Sequence, residues 1–297
     1  MTEILGAIAG LALLVFVIGS MLSMGLSLKV GQIIAPLKNV KLVILALVAN
    51  FILVPIVAYA ITMVLPLDES VRIGLILLAT AAGAPFLPKL AGLAKGDPAL
   101  AVGSMVLLMV ATVVYAPIVV PLVVEGAEVD TWEIASSLIV LMLIPLGLGL
   151  FAKARYQAFA DGIVAQTGQI ANVGLLVGIV AALLVSWRDI LGAIGSWIFV
   201  GIAIVLVSGL VFGYLAGFGR SRSDMVVLGL ATAQRNIAAA LVVAASLSGD
   251  VVVLTLVGAL VLPVVLIVVA GELGRRATPD EGPPSEPEVE TEASGHA

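Results

Sequence analysis

The sequence predicts an all-α polytopic membrane protein: nine transmembrane helices arranged as inverted structural repeats, with two broken helices that cross. Three observations carry this. Of 297 residues, 62% are hydrophobic and 11% charged, with mean hydropathy +1.25, far above the apolar share of a soluble domain. Apolar runs long enough to span a bilayer recur along the chain. Two landmarks also repeat at nearly one offset: Leu78-Ala79-Thr80-Ala81 returns as Leu230-Ala231-Thr232-Ala233 after 152 residues, and Gly96-Asp97 returns as Gly249-Asp250 after 153.

The first run, from Ile4 to about Leu28, has Glu3 where a signal peptide carries positive charge. It is too long for a signal core and no small-residue cleavage site follows, so it reads as a retained span. Further runs follow at about 40–65, 70–95, 98–124, 132–152, 162–186, 190–217, 225–247 and 251–271, separated by short charged or Pro/Gly-containing loops. The count is nine. From Gly274 the composition turns to proline and glutamate, which cannot bury enough apolar surface to order a segment, so residues 275–297 read as a disordered acidic tail. Its His296 is the lone histidine and reads as a solvated tail residue.

Charge placement tests the count. On alternate loops lie Lys29, Lys38 and Lys41; Lys95; Lys153 and Arg155; Arg220 and Arg222; and Arg275 and Arg276, ten cations on one side. The other side holds only Arg72 and Arg188, with Glu125, Glu128, Asp130 and Glu133 in one loop. This positive-inside bias puts the N-terminus outside and the C-terminal tail in the cytoplasm.

The remaining cations, Lys89 and Arg235, fall at the repeat-related third and eighth spans, which cross the membrane in opposite directions. The duplication is therefore inverted, with one repeat at about 4–124 and the other at about 132–274. Inverted repeats with interrupted helices near the midplane are the usual build of secondary transporters. In the third span, Gly83-Ala84-Pro85-Phe86-Leu87-Pro88 writes the interruption: each proline removes a backbone donor and clashes with the preceding turn. Gly83, Pro85 and Pro88 are the expected break residues. In the eighth span no glycine or proline accompanies Gln234-Arg235-Asn236, and a break there follows only from the symmetry.

An arginine deep in an apolar run is expensive, so function is its default reading. Arg235 lies about 12 residues, roughly 18 Å, from either end of its span, too deep to reach water. The candidate substrate-binding residues are Arg235, Gln234, Asn236, Lys89, Thr80 and Thr232. Each has a plainer alternative. Lys89 is about 9 Å along a helix from Lys95 and within reach of the interface. Arg235 could cap carbonyls of the opposite broken helix. Gln234 and Asn236 could bond between helices. Asn50, Gln166, Gln169 and Asn172 read first as packing residues and second as pathway residues.

The chain resembles the bile acid:sodium symporter family in its nine-span form. The resemblance rests on Met24-Gly25-Leu26-Ser27-Leu28-Lys29, on Asn50-Phe51-Ile52-Leu53-Val54-Pro55, on Gly83 through Leu93-Ala94-Lys95-Gly96-Asp97, and on the stretch containing Asn236. It covers about residues 4–275 and implies a small panel domain (4–28, 132–152 and 162–186) moving against a core of the other six spans, carrying organic anions with sodium. The sodium chemistry is where this chain departs. The family has a Ser-Asn pair at the first break, where Leu87-Pro88 stand here, and a glutamate and a glutamine at the second, where Ala231 and Arg235 stand. Apart from Glu133 at the edge of its run, no Asp or Glu lies inside a span, and an arginine repels sodium at close range. The sodium sites read as lost, and the fixed charges of Arg235 and Lys89 as their replacement.

Other classes fare worse. With no cysteine, and no His, Asp or Glu within a span beyond Glu133 at the edge of its run, an intramembrane enzyme lacks its nucleophile or acid pair. No phosphate-binding loop or soluble nucleotide-binding stretch occurs. A channel or membrane-bound ligand sensor is the rival from another class, and sodium coupling through backbone carbonyls, Thr80 and Thr232 is the rival within carriers. The expectation is an organic-anion transporter of a cell membrane with no cofactor, no metal centre and no nucleic-acid partner; substrate identity and oligomeric state lie beyond the sequence.

Overall fold

The computed structural model describes residues 2–29, 31, 34, 38–123, 131–192, 197–245, 247 and 249–277. Among these, all regular structure is helical. Helix α1 is Thr2–Ser27 and α2 is Val40–Val64. Two short helices follow, α3 at Glu69–Thr80 and α4 at Leu87–Leu93, then α5 at Pro98–Val123. Helix α6 runs Thr131–Leu138, Ile139–Leu143 and Ile144–Arg155 without a break, and only Tyr156 separates it from α7, Gln157–Gly192. The chain continues with α8 at Ile198–Ala216, α9 at Arg222–Ala233, α10 at Ile237–Ala245 and α11 at Gly249–Arg275. The expected seventh run began at 190, but α7 continues through Gly192 before α8 starts at Ile198. Most of the expected tail, from residue 278, and residues 124–130 of the acidic loop lie outside the described residues.

Among the described residues, six helical segments are long and apolar enough to cross a membrane: Ile4–Ser27, Val40–Val64, Pro98–Leu122, Ile134–Arg155, Ile198–Ala216 and Arg222–Ala245. The last contains a break, and its apolar stretch is 94% buried where that of Ile4–Ser27 is 22%. The interrupted helix is therefore the centre of the molecule and α1 lies at its edge. Each π turn, Ala49–Leu53 in α2 and Ile139–Leu143 in α6, sits just ahead of a proline, Pro55 or Pro145. A proline cannot donate to the turn before it, so the ladder slips by one: Val54 N–H reaches Ala49 O and Ile144 N–H reaches Ile139 O.

Helices α1, α6 and α7 pack together. At the crossing of α1 and α6, a Cβ on Gly25 would lie 2.3 Å from Leu146 O, and one on Gly149 would lie 2.8 Å from Gly25 Cα. Only glycine allows backbones to approach that closely, the usual device where lipid supplies no hydrophobic drive between helices. Helices α3 and α9 are both 12 residues long, both stop inside the protein, and both hand over to a shorter helix.

Candidate functional site

The first break is built by local chemistry and one side chain from α5. After Thr80 the chain turns extended at Ala81 (φ −94°, ψ 106°), and Gly83 takes φ +78°, where a side chain is strained. Its Cα also lies against α5, so a Cβ would sit 2.1 Å from Met109 N. The peptide groups released at Ala82 meet Thr112, whose hydroxyl accepts from Ala82 N at 2.9 Å and donates to Ala82 O at 3.0 Å. Pro88 begins α4 in the first turn, where no intrahelical donor is required.

The second break has no glycine or proline, and tertiary hydrogen bonds hold it. Helix α9 stops at Ala233, and Gln234 is extended (φ −75°, ψ 129°). Asn236 N donates to Ala81 O at 2.9 Å and Asn236 Nδ2 to Gly83 O at 3.0 Å, while Asn236 Oδ1 accepts from Ala239 N at 3.1 Å at the start of α10. Arg235 donates through Nη1 to Ala79 O at 3.1 Å and through Nη2 to its own Thr232 O. Asn50 joins from α2, donating to Ala46 O at 2.9 Å and to Thr232 Oγ1 at 3.0 Å. Carbonyls that two interrupted helices leave without partners thus face one guanidinium and one amide.

A cavity of about 670 Å³ lies against this crossing, with walls from both breaks and from α1, α5, α7 and α11. Lys89, Gln234 and Arg235 line it together with Pro85 and Pro88. The two cations sit differently. Lys89 is exposed, with Nζ 5.2 Å from the centre of the Phe86 ring, an aromatic partner rather than an acid. Arg235 is 1% exposed, its Nη atoms hold carbonyls, and Nε has no partner in the protein. Arg235 is thus a charge set just beneath the cavity wall, and Lys89 is the cation on the wall itself. No Asp or Glu lines the cavity, and no acid, histidine or cysteine cluster able to hold a metal occurs among the described residues.

Asn236, Gly83, Thr80 and Thr232 are not among the cavity-lining residues. Asn236 ties the two breaks together through Gly83 O and Ala239 N, Thr80 bonds back to Leu77 O at 3.0 Å, and Thr232 accepts from Asn50. Thr80 instead lines a separate apolar pocket of about 270 Å³ with Phe51 and Tyr115. Of the possible pathway residues only Asn172 lines the main cavity; Gln166 and Gln169 line a groove between α1 and α7, and Asn50 sits at the crossing. Sequence reasoning missed Thr112 and the cavity serines Ser20, Ser23 and Ser27. The serine spacing, i, i+3, i+7 on one helix face, was a readable signal. Nothing in the sequence marks Thr112.

The model of the sodium bile acid symporter family matches residues 12–193. The chain belongs to this family. It is one of transporters, not enzymes, and this member is a multi-pass membrane protein. The symporter-family chain is 26% identical over 211 residues to a probable sodium/metabolite cotransporter, BASS2, chloroplastic, of Oryza sativa subsp. japonica, covering 69% of this chain and 50% of that protein. It is 27% identical over 203 residues to an uncharacterized sodium-dependent transporter, YocS, of Bacillus subtilis (strain 168), covering 67% of this chain and 60% of the other. The matches thus span half to three fifths of those relatives. The family match ends at residue 193, short of Arg235.

Proposed function

We propose that the chain is a secondary active transporter that carries a small organic anion across a cell membrane by alternating access, without sodium. In this reading nine spans form two inverted halves, about 4–124 and 132–274, within a transport domain at 1–274. The panel is α1, α6 and α7, which pack together at glycine crossings, and the other six spans form the core. The N-terminus faces out and the C-terminus faces the cytoplasm, following the charge bias.

The observation that carries the reading is the position of Arg235. Its guanidinium lies between Ala79 O and Thr232 O, carbonyls left by two separate helix breaks, beneath a cavity free of acids. Carbonyls at broken helices are the usual ligands of a coupling cation; here a cation tethered to the chain takes them. A carboxylate about 8 Å away gains roughly 2 kcal/mol at an effective dielectric near 20, about thirty-fold in affinity, without touching the arginine. Lys89 and the half-buried cavity walls supply the direct contacts.

Sodium coupling is the second reading, and the names of both relatives favour it. Against it stand the guanidinium of Arg235, which already occupies the break carbonyls Ala79 O and Thr232 O, and the hydroxyl of Thr232, which receives Asn50. A thermal-shift screen of purified protein against organic acids, in sodium and in potassium, decides between them. The proposal expects an acid that stabilises equally in both salts. A tenfold tighter response in sodium, about 1.4 kcal/mol of coupling, means that a sodium site survives. Accelerated exchange of that acid in proteoliposomes separates a carrier from a channel or sensor.

A further inference from the structure

Helix α11 ends against α4. A Cβ on Gly274 would lie 2.0 Å from Leu93 O and 3.3 Å from Ala94 Cα, and Arg222 at the start of α9 holds the same end by donating to Leu273 O at 2.9 Å. Lys89 stands one turn back from Leu93, about 6 Å along α4, so the chain leaves Ala277 within roughly 15 Å of the cation on the cavity wall. The residues that follow, 278–297, lie outside the described ones, and their charge is of one sign: Asp280, Glu281, Glu286, Glu288, Glu290 and Glu292, with no lysine or arginine. Several cations of this side are already answered, since Arg275 and Arg276 pair with Glu272 and Arg220 pairs with Asp224. Lys89 in α4 and Lys95 just after it are exposed and make no ion pair among the described residues.

We propose that the acidic segment 278–297 docks on its own chain, across Lys95 onto Lys89, and holds the exposed cation of the cavity until an incoming anion displaces it. A flexible chain of four to eleven residues spans about 10–20 Å, the distance from Ala277 to Lys89, and that length brings Glu281, Glu286 or Glu288 to the amine. A single exposed ion pair is weak, but the tether supplies these carboxylates at an effective concentration on the order of millimolar. No acid on the cavity wall competes with them for Lys89. Docking stands on these charges alone; that the segment competes with a carried acid rests on the anion-carrier reading, which the thermal-shift screen tests separately.

The chain has no cysteine, so Ser27→Cys places a single thiol on the cavity wall. Ser27 is exposed and its hydroxyl bonds to Met24 O of its own helix, so the fold does not depend on it. The probe is sulfonatoethyl methanethiosulfonate, a small organic anion that caps the thiol. Its rate is measured on full-length protein with the native segment and with a neutralised one (Asp280→Asn, Glu281→Gln, Glu286→Gln, Glu288→Gln, Glu290→Gln and Glu292→Gln). Neutralisation should speed the reaction about fivefold at low salt, because a cation left uncovered in a cleft concentrates anions there, and the difference should vanish at high salt. In the Lys89→Gln background the two segments should give one rate. Equal rates with Lys89 present overturn the proposal. So does an effect that persists in Lys89→Gln, for then the carboxylates act only as charge nearby. An effect that grows with protein concentration assigns the segment to a second copy and overturns docking within one chain.

Discussion

Arg235 and Ala79 belong to different broken helices, and the guanidinium of one donates to the carbonyl of the other at 3.1 Å. The charge is thereby fixed to the crossing itself. Arg235→Gln removes it and leaves Ala79 O without its donor, at a cost of about 1–3 kcal/mol in stability. It is expected to abolish binding of the carried acid or to make binding sodium-dependent. Arg235→Lys keeps the charge but loses the planar fork, and should weaken binding while folding stays largely intact. Ligand titrations in sodium and potassium, beside melting curves, check both. A folded Arg235→Gln protein with unchanged, sodium-independent affinity would reduce the arginine to a packing residue.

Thr112 holds the first break by bonding both backbone groups of Ala82. Thr112→Val is close in shape and makes neither bond, so it should lower stability by about 1–3 kcal/mol for each group left bare. Thr112→Ser restores both. Melting temperatures of the three proteins in one detergent test this, and equal values would show that the break does not depend on the hydroxyl.

Two glycines near that break should respond in opposite ways. Gly83→Ala forces a side chain into φ +78°, which costs roughly 1–2 kcal/mol, and drives its Cβ onto the backbone of Met109. Little folded protein is expected. Gly92, inside α4, has open space where a Cβ would go, and Gly92→Ala should be neutral or stabilise by about 0.5–1 kcal/mol. Yield of monodisperse protein reads the first, and a melting curve the second.

The proposed orientation rests on ten cations facing two. A reporter fused after Arg276 is expected in the cytoplasm, and one inserted between Glu125 and Glu133 outside. An external signal from the first would mean an even number of spans and would undo the inverted arrangement.

The sequence made one break far easier to read than the other. Gly83, Pro85 and Pro88 act through their own backbone restrictions, so the interruption after Thr80 was visible in composition. The stop at Gln234 was reached only through the repeat of Leu78-Ala79-Thr80-Ala81. Its cause is nonlocal: Asn236 bonds to Ala81 and Gly83, and Arg235 to Ala79. The same holds for the site. Lys89, Gln234 and Arg235 stood out as polar groups in apolar surroundings. Thr112 looks like any threonine in a helix until the carbonyl and amide of Ala82 are placed beside it.

Because Asn236 closes the backbone of Gly83 from 153 residues away, the first half of the chain leaves the ribosome with its break unfinished. At about 5–20 residues per second, its partner follows roughly 8–30 s later. For that interval the peptide groups around Ala81 and Gly83 need lipid headgroups, water or the insertion machinery in place of Asn236. Biogenesis should therefore be the stage most sensitive to changes at Asn236, and a chain cut between the halves should be cleared by membrane proteases unless the second half is supplied in time.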